Sequence, residues 1–316
     1  MRQKLGMSSE DHAVAAGQEA STLDDHHHIG KSQNSPLHIT FFSKMYSHDP
    51  ACTDFVPNLK IHLLHCMQLT LLAPIVSERH LNDPSPNQQP SIQVILKNDR
   101  IYIHNIFCIN YTTYNIRQAQ DVVNPRTDHC NIMLLAPLDG FDTNLRRPSH
   151  PFYYARVLGI YHTNVVCTGQ EVTTYYTCKM EFLFVRWYKL CGPLNRETDS
   201  GWYKLNMLHF VPIAEDDAFG FVNPADVLPS CHLVPAFHEG KLHPDGIGMS
   251  NFAQDAQDWK KYYVNWFVDQ DMMMQYHWGL GIGHTYACGE ASEGINRLGV
   301  FATNDFMVFL PSSSMM

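Results

Sequence analysis

The sequence lacks an apolar run long enough to cross a lipid bilayer. Its longest candidate, residues 61–76, is interrupted by His62, His65 and Pro74, whereas a membrane-spanning helix needs about 20 consecutive, mostly apolar residues. Residues 1–22 also lack the apolar centre of a secretory signal. We therefore expect an intracellular protein without a membrane partner.

Paired cysteine motifs are absent as well. The nine cysteines are an odd number, they are scattered along the chain, and no two stand in a Cys-x-x-Cys arrangement. This distribution argues against a secreted disulfide scaffold and against a zinc ribbon. Free thiols in a reducing compartment account for it.

Basic residues are in deficit. The chain contains 22 Lys and Arg against 31 Asp and Glu, and its formal net charge is −9. Because dedicated nucleic-acid binders more often carry a basic footprint, this balance argues against that class. A local patch that faces phosphate stays open, and its candidates are Arg117, Arg126, Arg146, Arg147 and Arg156.

Recognisable catalytic motifs are missing too. No Gly-x-Ser-x-Gly elbow occurs, and "GLGIGH" (279–284) follows a predicted helix, which is typical of a helix C-terminal turn rather than a phosphate loop. The acidic run 215–217 indicates a solvated loop, and His62, His65 and Cys66 have no obvious further metal ligands. Cysteine and histidine are both frequent, but no local signature selects a nucleophilic pair. We predict no catalytic residue, metal, cofactor or small-molecule substrate.

Short segments rich in β-branched and aromatic residues are what the sequence does contain. They follow one another closely, with turn residues between them, which predicts a barrel or sandwich of antiparallel strands. Asn98 and Asp99 mark a tight turn between the first two segments. The segments span residues 91–97, 100–114, 130–137, 153–166, 178–188, 202–212, 219–227 and 231–237.

The segment "MEFLFVRWYK" (180–189) is apolar on both of its alternating faces. This pattern predicts a strand that is covered on both sides. Near its end stands Arg186, whose guanidinium can stack on a neighbouring ring and pair with a carboxylate such as Asp217 or Asp226.

The same strand end also has a functional interpretation, in which aromatic side chains form a rim around a ligand. Trp187, Tyr188, Trp202 and Tyr203 can surround a peptide or a base, with Arg186 beside them. We therefore predict these five residues as the binding residues of the chain.

One segment shows helical spacing. Its aromatic and methionine residues recur every three or four positions, which predicts an amphipathic helix over 251–276 that packs on the sheet. The remaining boundaries are a disordered tail (1–35), a poorly ordered region with prolines, a short helix and a linker (36–90), a β-rich module (91–285) and a peripheral segment (286–316). The predicted fold is mainly β, with this one C-terminal helix.

A series of motifs in this module resembles a known family. The motifs are "INYTTYNIRQAQDVVNPRTDHCNIMLLAP", "YYARVLGIYH", "MEFLFVRWY", "SGWYKLNMLHFVP", "FGFVNPADVLPSCHLVPAF" and "WKKYYVNWFVDQDMMMQY". In this order they are similar to the C-terminal module of proteins encoded by fungal DNA transposons of the Plavaka type, within the Kyakuja–Dileera–Zisupton group. That module is abundant in mushroom-forming fungi. The resemblance covers roughly residues 92–285. The succession "ARVLGIY" and "VRWY" also resembles a bromo-adjacent-homology barrel, which binds chromatin proteins.

In that family the module follows a transposase catalytic domain, to which nothing in residues 1–90 is similar. The resemblance therefore implies a non-enzymatic interaction module associated with a transposable element. The partner it implies is chromatin, DNA or a transposase, and a nuclear location is compatible with it. Two alternatives stay open: a divergent metal-dependent enzyme that uses some histidines and cysteines, and a degenerate transposon fragment without a selected function.

Overall fold

The computed structural model describes residues 26–30, 32–68, 93–136, 150–168, 177–191 and 205–280. Within these ranges the helices are α1 (Ile39–Met45) and α2 (Phe55–Met67). The strands are β1 (His27–Ile29), β2 (Pro36–His38), β3 (Gln93–His104), β4 (Phe107–Thr112), β5 (Gln118–Val123), β6 (Asn131–Leu135), β7 (Phe152–Thr168), β8 (Thr177–Leu190), β9 (Met207–Phe210), β10 (Phe219–Val222), β11 (Val227–Ser230), β12 (Leu233–Pro235) and β13 (Tyr262–Val264).

The strands form two antiparallel sheets. One has three strands in the order β1-β4-β5, and the other has ten strands, seven of which follow the path β11-β6-β7-β8-β9-β13-β12. Strand β10 pairs with β8, and β2 joins through β3 to β7. The large sheet curls into a half-barrel, so the mainly β fold predicted from closely spaced short strands is confirmed.

The long hairpin β7–β8 lies at the centre of the large sheet. On one face of β8, Leu183 and Val185 pack in a core with the small sheet. On the other face, Phe182 and Phe184 pack in a second core with α1 and α2. The prediction of a strand covered on both sides is confirmed, because each alternating set of side chains has its own apolar layer.

Residues 36–68 are a packed part of the domain, which corrects the prediction of a poorly ordered region. Pro50 begins a 3-10 turn and Pro57 lies in the first turn of α2, where proline is tolerated because no intrahelical N–H donor is needed. The helices bury Phe42, Phe55, Leu59, Leu63 and Met67 against the sheet, and each such side chain contributes about 1.5–3 kcal/mol. The linker predicted at the end of this region lies outside the described residues, which resume at residue 93.

The end of the predicted N-terminal tail also belongs to the fold. Strand β1 pairs with β4, with His27 opposite Ile109 and Ile29 opposite Phe107, and Ile29 is buried in the core with the small sheet. The three residues of β1 are too few to change the polar composition on which the prediction of a tail over 1–35 depended. Residues 1–25, like the segment 286–316, lie outside the described part of the chain.

The helix predicted over 251–276 is wrong. This segment contains a 3-10 turn at Asp255–Gln257, strand β13, and a π-helical turn at Met272–His277. Tyr262 and Val264 are buried on the same face of β13. The aromatic residues of this segment fit the two-residue spacing of a strand as well as the spacing of a helix. The segment is a strand because β13 pairs with both β9 and β12.

The turn predicted at Asn98 and Asp99 is a bulge inside β3. Both residues have positive φ, at 57° and 49°, and the pairing register with β7 shifts between Leu96 and Ile101. Asn and Asp tolerate this left-handed backbone, which explains the turn-like composition.

The glycine turn predicted at 279–284 is supported at its first residue, because Gly279 has φ +67° directly after the π-helical turn.

Candidate functional site

Arg186, the first predicted binding residue, is a core residue. Its side chain is 1% exposed, and its Nη1 donates to Asp258 Oδ2 at 2.5 Å. Its guanidinium carbon lies 4.0 Å from the centre of the Phe210 ring. The predicted combination of ring and carboxylate is present, but its members are Phe210 and Asp258 rather than a ring of the same strand and Asp217 or Asp226.

A second arginine shares this carboxylate. Arg156 Nη1 donates to Asp258 Oδ1 at 2.5 Å, and its guanidinium carbon lies 4.4 Å from the centre of the Phe210 ring. The Tyr262 hydroxyl lies 3.4 Å from the same oxygen. Asp258 is buried, so Arg156 and Arg186 form a buried ionic group with it and do not face a phosphate at the surface.

Of the predicted aromatic residues, the structure describes Trp187 and Tyr188, and these two point to opposite faces of β8. Tyr188 is buried, stacks on Phe210 at 4.1 Å, and donates its hydroxyl to Asn131 at 3.0 Å. Trp187 points to the opposite face, where it is half-buried over Gly220; a Cβ at that glycine would lie 2.6 Å from the indole nitrogen. Arg186 and Tyr188 therefore cannot belong to an exposed rim.

The remaining predicted binding residues and candidate phosphate contacts are described only in part by the structure. Trp202 and Tyr203 lie outside the described residues, so a binding role for them stays a prediction, as it does for Trp187. Arg117 and Arg126 are exposed, and Arg146 and Arg147 are not among the described residues. Over the described ranges, no helix is both long and apolar enough to span a membrane.

Two thiol–imidazole contacts bear on a catalytic interpretation. His62 Nε2 lies 3.6 Å from Cys66 Sγ, and Cys191 Sγ lies 3.2 Å from His209 Nδ1. Burial raises the pKa of Cys191 and lowers the pKa of His209. These directions favour a neutral thiol beside a neutral imidazole, whereas a nucleophilic cysteine needs a lowered pKa. Among the residues that the structure describes, no three His, Cys, Asp or Glu side chains are grouped to hold a metal ion.

A small acidic cleft lies at one edge of the described structure. It lies where β4, β5 and the end of β11 meet the segment that leads into the π-helical turn. Its volume is about 60 Å³. It is lined by Tyr111, Asp121, Pro229, Ser230, His232, Asp269, Asp271, Met272 and Tyr276.

Backbone N–H groups orient the three aspartates of the cleft. Asp121 Oδ2 accepts from the N–H of Ser230 at 2.6 Å, and Asp269 Oδ1 accepts from the N–H of Met272 at 2.7 Å. Asp271 Oδ1 accepts at 2.6 Å from the N–H of the buried Tyr114, in the loop between β4 and β5. Such hydrogen bonds to ionised carboxylates are strong and fix their positions. No described lysine or arginine forms an ion pair with any of the three.

Two tyrosines complete the walls. Burial, followed by the charges of Asp271, Asp121 and Asp269, raises the pKa of Tyr111. Burial also raises the pKa of Tyr276, with smaller contributions from Tyr111 and the same carboxylates. Both phenols are therefore neutral near pH 7, and they line the same cleft as the three carboxylates.

The dimensions and the charge of the cleft restrict what it can accept. Pockets for drug-sized ligands and cofactors usually measure about 300–1,000 Å³, so this one suits the end of a side chain. An ammonium or guanidinium group would be attracted to the carboxylates and to the ring faces of the tyrosines. A phosphate group would be repelled.

The residues of this cleft could not be recognised as a site from the sequence. Asp269 and Asp271 lie within the segment predicted as an amphipathic helix, in which aspartates are expected on the solvent-exposed face. Asp121 lies far away along the chain and reaches them only through the packing of β5 against the C-terminal segment.

Comparison of the chain with protein-family models, with curated proteins and with solved structures finds no match.

Proposed function

We propose that this chain is a non-enzymatic interaction module whose acidic cleft receives a lysine or arginine side chain of a protein partner. The observation that carries the proposal is the group of three aspartates, unpaired by any described lysine or arginine, around a small cavity walled by tyrosines. The resemblance to Plavaka-type transposon modules and to the bromo-adjacent-homology barrel supports a protein that is associated with a transposable element and acts on chromatin.

The electrostatics favour a protein partner over DNA. Two unit charges 4 Å apart interact by about 4 kcal/mol at an effective dielectric constant of 20. That interaction attracts an ammonium group to each carboxylate and repels a phosphate to the same degree. The formal net charge of −9 acts in the same direction, and Arg156, one of the five candidate phosphate contacts, is already bound to Asp258.

Among chromatin proteins, the histone tails are the chemically matched class, because they present lysine and arginine on extended segments. The experiment measures binding of the purified chain to an array of peptides that cover the four core-histone tails. Duplex DNA serves as the competing ligand over a range of salt concentrations. We expect peptide binding, and weak DNA binding without the steep salt dependence of a protein that makes many phosphate contacts.

A double variant tests whether the cleft is responsible. Asp269→Asn with Asp271→Asn keeps oxygen acceptors for the backbone N–H groups but removes two charges. We expect its peptide Kd to rise by about tenfold or more, equivalent to about 1.4 kcal/mol or more. The matched control is Asp216→Asn with Asp217→Asn, which removes the same charge from an exposed turn. Equal weakening by both pairs, or no peptide binding by the wild-type chain, would falsify the proposal.

A further inference from the structure

Strand β1 connects the small sheet to a polar group on the large sheet. The strand pairs with β4, but its His27 Nε2 lies 3.3 Å from Glu181 Oε2 on β8. A Cβ on Gly30, directly after β1, would lie 3.3 Å from His104 Nδ1 on β3. Glu181 is the cross-strand partner of His162 on β7, and His162 Nδ1 lies 2.6 Å from His104 Nε2. The N-terminal strand therefore covers a pair of histidines.

This polar group is poorly suited to accept further protons. A charged imidazole carries a hydrogen on both ring nitrogens, whereas the contact between His104 and His162 holds only one hydrogen. Tyr102 stacks on His162, which is fully buried. Within the described residues, three buried ring nitrogens of the group have no hydrogen-bond partner, namely Nε2 of His162 and Nδ1 of His26 and His27. Protonation therefore places N–H groups in buried positions without an acceptor, which is unfavourable.

Few negative charges face the group to offset added protons. Lys179 Nζ already lies 2.5 Å from Glu181 Oε1. The charge of Asp226, in the 3-10 turn before β11, acts on His27 and also on His65 of α2. The carboxylates Glu181 and Asp226 thus face one lysine and a larger number of imidazoles.

Proton uptake favours the form of the protein in which the imidazoles reach water. Burial lowers the pKa of His26 and of His104, and it lowers the pKa of His162 to about 4. On β4, burial raises the pKa of Cys108, so this thiol stays neutral. Without β1 above them the imidazoles bind protons more readily, so separation of β1 becomes more favourable as the pH falls from about 6.5 toward about 4.

Strand β1 is the element of this group that is held least firmly. It has three residues, stands at the edge of the order β1-β4-β5, and buries only Ile29 in the core. His104, His162 and Glu181, by contrast, belong to strands of 12, 17 and 14 residues in the large sheet. Elements with few buried contacts open at a lower free energy than the centre of a domain.

We propose that β1 is an acid-released arm: when the imidazoles around it take up protons, β1 separates from both sheets while the β7–β8 hairpin stays folded. Its separation uncovers the edge of β4 and the part of the apolar core against which Ile29 packs. This device is independent of the acidic cleft and of its proposed function.

Hydrogen exchange followed by mass spectrometry tests the proposal on the full chain at about pH 7.5 and about pH 5. Protection is corrected for the intrinsic exchange rate and compared between residues 26–30 and 107–110, which pair in β1 and β4, and residues 182–186 as the internal reference. We expect protection of the first two to fall by about tenfold or more, because release coupled to one proton gains about tenfold per pH unit. The reference should keep its protection.

Three variants locate the proton sensor and check the readout. His104→Gln combined with His162→Gln removes the buried pair, so protection of β1 should largely lose its pH dependence. The matched control, His238→Gln at an exposed position, should keep it. Glu181→Gln removes the carboxylate that contacts His27, so release should move to higher pH. Ile29→Ala should lower the protection of β1 at both pH values and leave the reference unchanged.

The contrary outcomes are specific. Equal loss of protection in residues 26–30 and 182–186 would show that acid unfolds the whole domain, and would overturn the proposal. Protection of β1 that is the same at both pH values, or a double histidine variant with the full pH dependence, would also overturn it. If the double variant does not fold, Glu181→Gln decides, because an unchanged pH of release would show that this polar group does not hold β1.

Discussion

Arg156 and Arg186 are direct cross-strand partners on β7 and β8, and a single carboxylate, Asp258, bonds to both. Like charges opposite each other destabilise a sheet, so this arrangement depends on the residue that bridges them. The ring of Phe210 lies against both guanidinium groups and further stabilises the two cations.

Replacing Asp258 by asparagine should be among the most damaging changes in the domain. It removes the carboxylate that bonds to two adjacent arginines, one fully and one largely buried, and breaking a buried ion pair from one side costs about 3–5 kcal/mol. Urea unfolding measures the free energy of unfolding directly. Asp217→Asn, in an exposed turn, is the control and should change it by less than about 0.5 kcal/mol. A loss below about 1 kcal/mol for Asp258→Asn would show that the bridge is not structural.

A pair of imidazoles makes stability depend on pH. His104 Nε2 lies 2.6 Å from His162 Nδ1, and this contact holds only one hydrogen, so it excludes two protonated rings. Burial, followed by the charges of Lys179 and His104, lowers the pKa of His162 from 6.5 to about 4. Burial likewise lowers the pKa of His104.

The direction of the pH effect follows from these shifts. Between pH 6.5 and 4 the unfolded chain binds more protons than the folded chain, so the free energy of unfolding should fall as the pH falls through this window. The contribution is complete above pH 6.5. Unfolding in urea at several pH values measures the slope, and His162→Gln should flatten it relative to the wild-type chain. His48→Gln, in an exposed loop, should not; equal slopes for all three proteins would contradict the assignment.

The neighbouring carboxylate loses its contribution at lower pH. Hydrogen bonds from His27 and Lys179 outweigh burial and lower the pKa of Glu181 from 4.5 to about 2. Its stabilising effect is present above pH 4.5 and disappears as the pH falls toward 2, so it overlaps the histidine window only between pH 4.5 and 4.

Cys191 should be an unreactive thiol despite its contact with His209. Because burial raises its pKa, little thiolate exists at pH 7, and alkylation by iodoacetamide should be slow. Mass spectrometry after timed labelling measures the rate at each cysteine, and His209→Ala should leave the rate at Cys191 unchanged. Rapid labelling that depends on His209 would instead favour the alternative of an enzyme.

The parts of the fold that could be predicted from the sequence are those whose apolar residues recur with a spacing that fits only one kind of secondary structure. Strand β8 has apolar residues on both faces and pairs on both sides, so its pattern and its environment agree. The segment around Tyr262 and Trp266 satisfies two periods at once, and its strand pairing is a tertiary choice that a local pattern does not contain. Likewise Ile29 contributes a single buried side chain, too little to stand out in a polar tail.

The candidate site could not be predicted for a different reason. Its aspartates come from β5 and from the segment before the π-helical turn, and only the docking of the β4–β5 hairpin on that segment brings them together. Arg186 shows the opposite case. Its need for a ring and a carboxylate was predictable from residue chemistry, but the identity of Phe210 and Asp258 depended on how the chain returns over the central hairpin.

The bridge at Asp258 bears on folding as well. Because β7 and β8 precede residue 258 in the chain, a hairpin that forms before the C-terminal segment has packed carries two facing guanidinium groups without the carboxylate that bonds to both. We therefore expect the centre of the sheet to be fully stabilised only by this long-range contact, which is of the kind that slows folding of β-rich domains.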